Sequence, residues 1–175
     1  MRNILIVTLL GLGAILGFIF FSNTTQKTQT PSQPLPNTQP ESTTSAQTIP
    51  GYQGKLLAGK SAPFLEFKKE DYEKALSENK VIVLNFYANW CPICRAEEPA
   101  IHQGFNSLSS DKVIGFRVNF NDSDTDKDEE ALGKEFKIPY QHSKVILKNG
   151  KEFSRSLDSW DKSTFDSEIS KALTN

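Results

Sequence analysis

Residues 81–99 read Val81-Ile82-Val83-Leu84-Asn85-Phe86-Tyr87, then Ala88-Asn89-Trp90-Cys91-Pro92-Ile93-Cys94, then Arg95-Ala96-Glu97-Glu98-Pro99. The first seven are branched, aliphatic or aromatic except for Asn85, the composition of a strand buried on both faces. A helix is expected from about Cys91 to Leu108, with Pro92 in its first turn, where a missing N–H costs nothing. The two cysteines therefore stand where a central strand hands over to a helix. Unpaired N–H groups and the positive end of the helix dipole favour thiolate over thiol there. A two-residue spacer lets the second thiol reach back and resolve a mixed disulfide. Cys91, nearer the helix end, is expected to be the more exposed nucleophile, and Cys94, one turn in, the buried resolving thiol. The plain alternatives are a structural pair or half a zinc site. The strand–CxxC–helix context favours redox use.

Outward from this segment, residues 61–175 alternate between strand and helix patterns. Strands are expected at 63–67, 81–87, 112–120, 144–147 and 152–156, and helices at 69–78, 91–108, about 126–136 and 163–173. Asn149-Gly150 between the last two strands is a strong hairpin signal. Thr125 or Asp126 can cap the third helix, and Ser163-x-x-Asp166 opens the last. This order predicts an α/β domain, a central mixed sheet flanked by helices on both faces.

The remainder of the chain is different. Residues 4–21 (ILIVTLLGLGAILGFIFF) carry no charge. As a helix they reach about 27 Å, close to the hydrocarbon core of a bilayer. Residues 1–22 are thus expected to be a transmembrane anchor or a signal segment. No small-x-small cleavage site follows, and no cysteine suited to a lipid anchor. Arg2 lies on one side of the run and the first charge on the other is Lys27, which puts the C-terminal domain outside the cytoplasm. Residues 23–60 are mostly Thr, Ser, Gln, Asn and Pro and are expected to be a disordered linker, with 51–60 as the passage into the folded part. The whole chain has 175 residues and a net charge of −1. That balance excludes a basic nucleic-acid-binding surface of the usual kind. Two cysteines exclude both a multi-bridge disulfide framework and a zinc site made of thiolates alone. The acidic stretch 121–130 fails the EF-hand pattern, since Lys127 stands where glycine is needed. His102 is read as a surface residue.

The stretch from Asn85 to Pro99 resembles the active site of the thioredoxin superfamily. It is most similar to the membrane-anchored TlpA/ResA-like thiol–disulfide oxidoreductase branch. The resemblance covers residues 61–175 and implies a thioredoxin fold with four or five strands. It also implies a dithiol/disulfide cycle without a metal or organic cofactor, acting on protein thiols and disulfides. A reductant of particular exported proteins is implied, with a membrane electron donor behind it. Trp90 then matches the tryptophan that flanks the cysteines, and Pro99 the proline inside the active-site helix.

The family pattern is not followed throughout. Asn85 stands where cytoplasmic thioredoxins have a buried aspartate. The TlpA/ResA-like branch shares that asparagine and places a glutamate for proton transfer at the position of Glu97, within helical reach of Cys94. The family also places a cis-proline before the strand that leads to the hairpin. Without a gap that position falls on His142; with a shortened loop it falls on Pro139. A histidine there has two consequences. An imidazolium beside Cys91 would depress its pKa. Alternatively, Cys91, Cys94 and His142 would make a soft site suited to Cu(I) or Zn. Sco-type copper proteins have a similar arrangement, with their cysteines one residue further apart. The expected site is therefore Cys91, Cys94, Trp90, Pro92, Glu97 and His142, in a single-pass protein of the cell membrane.

Overall fold

A computed structural model describes residues 49–174. The proposed anchor (residues 4–21) and the linker up to residue 48 lie outside the described residues. Among the described residues, no helix is long and apolar enough to cross a membrane.

In chain order the elements are β1 (Leu56–Ala58), β2 (Phe64–Glu66), α1 (Lys69–Ser77), β3 (Val81–Tyr87), α2 (Pro92–Ser107), β4 (Val113–Asn119), α3 (Lys127–Glu135), β5 (Lys144–Lys148), β6 (Lys151–Ser156) and α4 (Lys162–Thr174). They build one six-stranded sheet in the order β1-β2-β4-β3-β5-β6. β4 runs parallel to both β2 and β3, whereas β5 is antiparallel to β3 and β6 to β5. The expected mixed sheet is present, with one strand more than the resemblance implied. That strand is β1, which pairs antiparallel with β2. The linker read as 23–60 is corrected at this end. Residues 53 and 54 are tied to the buried Asp71 carboxylate, which accepts from Gln53 N at 2.9 Å and Gly54 N at 2.7 Å. This tie joins residues 18 and 17 positions apart, so local composition gives no sign of it.

Strand alternation divides the core in two. Ile82, Leu84 and Phe86 of β3 pack with Tyr72, Phe116, Leu132, Val145 and Leu147. Val81 and Val83 pack on the other face with Ile101, Phe105, Ile146, Trp160 and Phe165. The sheet is thus covered by α1 and α3 on one side and by α2 and α4 on the other. Gly115 of β4 makes this close packing possible, because a Cβ there would stand 2.2 Å from Phe105 Cζ. In its absence Phe64 and Phe105 stack with ring centroids 4.8 Å apart.

Local signals explain the element ends. Asp126 caps α3 in a full capping box with Glu129. Asn149 and Gly150 both take positive φ, 53° and 70°, as a tight hairpin turn demands. α4 begins one residue before the Ser163 signal, and the Asp161 carboxylate accepts from Thr164 N at 2.7 Å. His102 is not a free surface residue: it is half-buried, with its ring edge on Phe64 at 5.8 Å and Glu98 at 3.6 Å. Burial pushes its pKa down, partly offset by Glu98.

Candidate functional site

β3 ends at Tyr87 and the chain turns through Ala88-Asn89-Trp90 into α2. Cys91 is the N-cap residue and Pro92 the first residue of the helix. The Cys91 sulfur accepts the backbone N–H of Cys94 at 3.1 Å. One orphan donor of the helix end is thereby spent on a sulfur. Both cysteines are free thiols. Pro99 lies inside α2, which continues through it to Ser107.

The expected difference in exposure is absent: Cys91 and Cys94 are each 1% exposed. Position on a helix end does not keep Cys91 in solvent, because it clusters with Ala88 and Cys94, and Tyr87 packs against that cluster. Burial pushes the Cys94 thiol well above the ordinary value, and a hydrogen bond with Cys91 adds to the rise. Cys94 is the thiol that holds its proton.

Trp90 is 53% exposed rather than part of the core. Its Nε1 donates to Asn121 O at 3.0 Å, and Asn89 N donates to Asp122 Oδ2 at 2.7 Å. The acidic loop after β4 therefore braces the turn that carries the cysteines. Ile93 is also exposed, so the rim of the site is apolar.

His142, not Pro139, faces the cysteines. Its N–H donates to Phe86 O at 2.6 Å, and Phe86 N donates to Ser143 O at 2.9 Å. These bonds register the residue against the end of β3. One ligand atom from each of Cys91, Cys94 and His142 lies within 4.8 Å of the others. His142 takes φ 55°, the left-handed region that a side chain disfavours. Pro139 is exposed in the segment between α3 and this turn.

Beneath the thiols runs a polar row across three strands. Asn85 of β3 is in register with Arg117 of β4 and Lys144 of β5. All three side chains fall on the α2 side of the sheet, and two consecutive helix carboxylates meet the two cations. Glu98 accepts from Arg117 at 3.0 Å, while the buried Glu97 pairs with the fully buried Lys144. Lys144 Nζ also donates to His142 O at 2.9 Å and Asp158 O at 3.2 Å. Glu97 Oε2 accepts Trp160 N at 3.0 Å as well, and Oε1 is buried without a hydrogen-bond partner. Burial lowers the Lys144 pKa, and Glu97 works against that fall.

Residues 63–171 match the thioredoxin family model. The chain belongs to the thioredoxin family. Among similar proteins, thioredoxin H2 of Arabidopsis thaliana is 36% identical over 88 residues, covering 48% of this chain and 57% of that protein. The chloroplastic thioredoxin-like protein HCF164 of Oryza sativa subsp. japonica is 31% identical over 111 residues, 63% of this chain and 41% of that protein. The thiol:disulfide interchange protein DsbE of Vibrio cholerae is 34% identical over 74 residues, 38% of this chain and 37% of that protein. The chain thus spans roughly half or less of these relatives' own lengths. Among solved structures, thioredoxin O2 from Arabidopsis thaliana in its oxidized state superposes with a TM-score of 0.51 at 18% identity, covering 65% of this chain and 97% of that one. At that identity the likeness speaks for the fold.

Within this thioredoxin-family domain, Lys144 and Trp160 went unread in the sequence. The available signal was a lysine at the head of Lys144-Val145-Ile146-Leu147, on a strand next to the central one. A charge there has no route to solvent and demands a partner, but nothing local names Glu97 as that partner.

Proposed function

We propose that this chain is a thiol–disulfide oxidoreductase of the extracytoplasmic, membrane-anchored TlpA/ResA-like kind, a reductant of specific exported proteins. The observation that carries the reading is the free pair at the α2 N-terminus, with Cys94 N–H on the Cys91 sulfur. The relatives titled as thiol:disulfide interchange proteins support it, as does the uncharged run at residues 4–21 for the anchor.

In the reductive direction the Cys91 thiolate attacks one sulfur of a substrate disulfide. A Cys91–substrate disulfide forms, and the other substrate sulfur leaves as a thiolate that takes a proton. Cys94 then gives up its proton, with the unpartnered Glu97 Oε1 and water as the bases at hand, and attacks the Cys91 sulfur. The second substrate thiol departs, and the Cys91–Cys94 disulfide holds the oxidising equivalents: two electrons have passed to the substrate. A membrane electron donor would restore the dithiol.

The test is the reduction potential of the metal-free full chain, read by equilibration with glutathione. A value near or below roughly −250 mV fits a reductant, and one near about −120 mV would reverse the direction to disulfide donor. A chain that forms no Cys91–Cys94 disulfide at any ratio would end the proposal.

A second reading is favoured by one observation, the approach of Cys91, Cys94 and His142 within 4.8 Å. His142 Nδ1 is buried without a partner, so the donor set fits a soft ion. Two thiolates and an imidazole would hold Cu(I), which the protein would carry rather than turn over. The check is Cu(I) stoichiometry in the reduced chain and in H142A. Tight binding undiminished by H142A would remove the histidine from this reading.

A further inference from the structure

Lys144 has no place in the dithiol chemistry just described, and its burial is costly. A buried ion pair seldom stabilises more than apolar residues of the same volume would. Ile146, two residues on along the same face, shows that this strand accepts an apolar side chain against α2 and α4. The charge must therefore give something that an apolar residue would not.

Its three donors are fully committed. One goes to Glu97 Oε2 on α2, one to the carbonyl of Asp158 beyond β6, and one to the carbonyl of His142 at 2.9 Å. The last bond falls on the one site residue with a disfavoured backbone. His142 sits at φ 55° and still points its imidazole at both sulfurs. A proline at this place would be stiff by covalent structure; a histidine has no such stiffness. Its N–H is held by Phe86 O at 2.6 Å and its carbonyl by Lys144. The next residue is fixed too, through Ser143 Oγ donating to Tyr140 O at 2.7 Å. The Glu97 carboxylate anchors the ammonium, and Trp160 N anchors the carboxylate.

We propose that Lys144 is a positioning residue for the Cys91–Cys94 pair, acting through the backbone of His142: its buried ammonium holds that residue in the left-handed conformation that keeps the imidazole beside the sulfurs. The proposal rests on the dithiol reading above. It assigns to a lysine on β5 the rigidity that the family obtains from proline.

The experiment is a double-mutant cycle on the full chain. Glu97 and Lys144 are replaced together, as E97Q/K144M, so that no buried charge is stranded. The pair substitution is made in the parent and in H142A, and the dithiol–disulfide equilibrium with glutathione is measured at pH 7. In the parent the equilibrium constant moves about tenfold toward the disulfide, because the imidazole no longer steadies the thiolate. In H142A the same pair substitution moves it less than about threefold, a difference between backgrounds larger than the roughly twofold scatter of uncoupled sites. Equal shifts in both backgrounds, or no shift in either, would overturn the proposal. If E97Q/K144M does not fold, E97L/K144L fills the same space with apolar atoms and takes its place in the cycle. The nitrogen and proton resonances of the His142 ring give a readout independent of redox chemistry. They change on reducing the disulfide in the parent and lose that response in the pair variant. A ring that still responds in the pair variant refutes the role of Lys144. Failure of the disulfide to form in the parent refutes the oxidoreductase reading, a result distinct from these.

Discussion

The backbone N–H of Cys94 points at the sulfur of Cys91 across 3.1 Å, within the first turn of α2. The helix end thus gives one sulfur a backbone N–H, while burial pushes the other thiol's pKa up, although both are equally buried. The two thiols should part ways in a trapping experiment. C94A treated with an aromatic disulfide is expected to accumulate a stable mixed disulfide on Cys91, visible as added mass on one cysteine. C91A should react far more slowly, because its remaining thiol holds its proton. Faster adduct formation in C91A than in C94A would reverse the assignment of nucleophile.

The raised pKa of Cys94 carries a stability consequence with a definite sign. Burial, the main cause, disfavours the thiolate in the folded state, whose pKa stands above the ordinary value of 9.0. The unfolded chain therefore loses this proton first as pH rises. The contribution is fully present below about pH 9 and is lost as pH climbs toward the folded value, at up to about 1.4 kcal/mol per pH unit. Denaturant unfolding of the reduced chain at pH 8, 9 and 10 should show a steeper loss for the parent than for C94A. The comparison with C94A is needed because burial also raises the pKa of Tyr52 and of Tyr72, which adds slope of the same sign. Parallel curves would mean that Cys94 is not desolvated as the fold implies.

Much of the fold was legible because its signals are local. The run Val81–Tyr87, the proline opening α2, the Asp126 cap and the Asn149-Gly150 turn each act within a few residues, and each expected element lies within two residues of its expected ends. The thiol pair was legible for the same reason. What escaped depends on contacts distant in sequence. Glu97 and Lys144 are 47 positions apart, and Trp160 N reaches Glu97 across 63. β1 is too short and too weakly patterned to read, and it is fixed by pairing with β2, by packing of Leu56 and Ala58 into the two core clusters, and by Asp71 just before it. The surroundings of Trp90 were not legible either. Its exposure follows from the bond to Asn121 O, which lays the indole over the neighbouring loop.

The Glu97–Lys144 pair gives a prediction about stability, separate from its effect on redox balance. K144M alone leaves a carboxylate buried at 5% exposure with its cation gone. Unfolding in denaturant should show a loss of about 3–5 kcal/mol. Replacing both partners by apolar residues, as in E97L/K144L, strands no charge and should recover most of that loss. Equal losses for the single and double variants would mean that packing volume, not the unpaired charge, sets the cost.

Gly104 offers a test of how tightly α2 lies on α4. A Cβ at this position would stand 2.4 Å from Phe165 Cδ1, in the ring that meets Phe105 edge-on at 5.0 Å. Phe165 is fully buried and has no open side to retreat into. G104A is expected to cost about 1–3 kcal/mol by overpacking, measured by denaturant unfolding. The potential of the Cys91–Cys94 pair should stay within error of the parent, because the strain lies a helix-length from the thiols. Undiminished stability in G104A would show that α4 can shift away from α2 at little cost.

Asp71 decides whether the edge of the sheet is a separate unit. Its carboxylate sits in the first turn of α1, is 2% exposed, and receives the N–H groups of Gln53 and Gly54. Gln53 is exposed, but Gly54 is buried and closely packed: a Cβ on it would already meet Glu66 O at 2.2 Å. D71A therefore leaves the buried Gly54 N–H unsatisfied, at a cost of about 1–3 kcal/mol. The loss should be local, since β1 is the edge strand and pairs with β2 alone in the sheet. Amide exchange at Gln53, Gly54 and Leu56 is expected to quicken in D71A, while Val83 and Leu84 of the central strand keep the protection of the parent. Exchange that quickens equally in β1 and β3 would mean that β1 folds and unfolds with the rest of the sheet, and that this aspartate supports the domain as a whole.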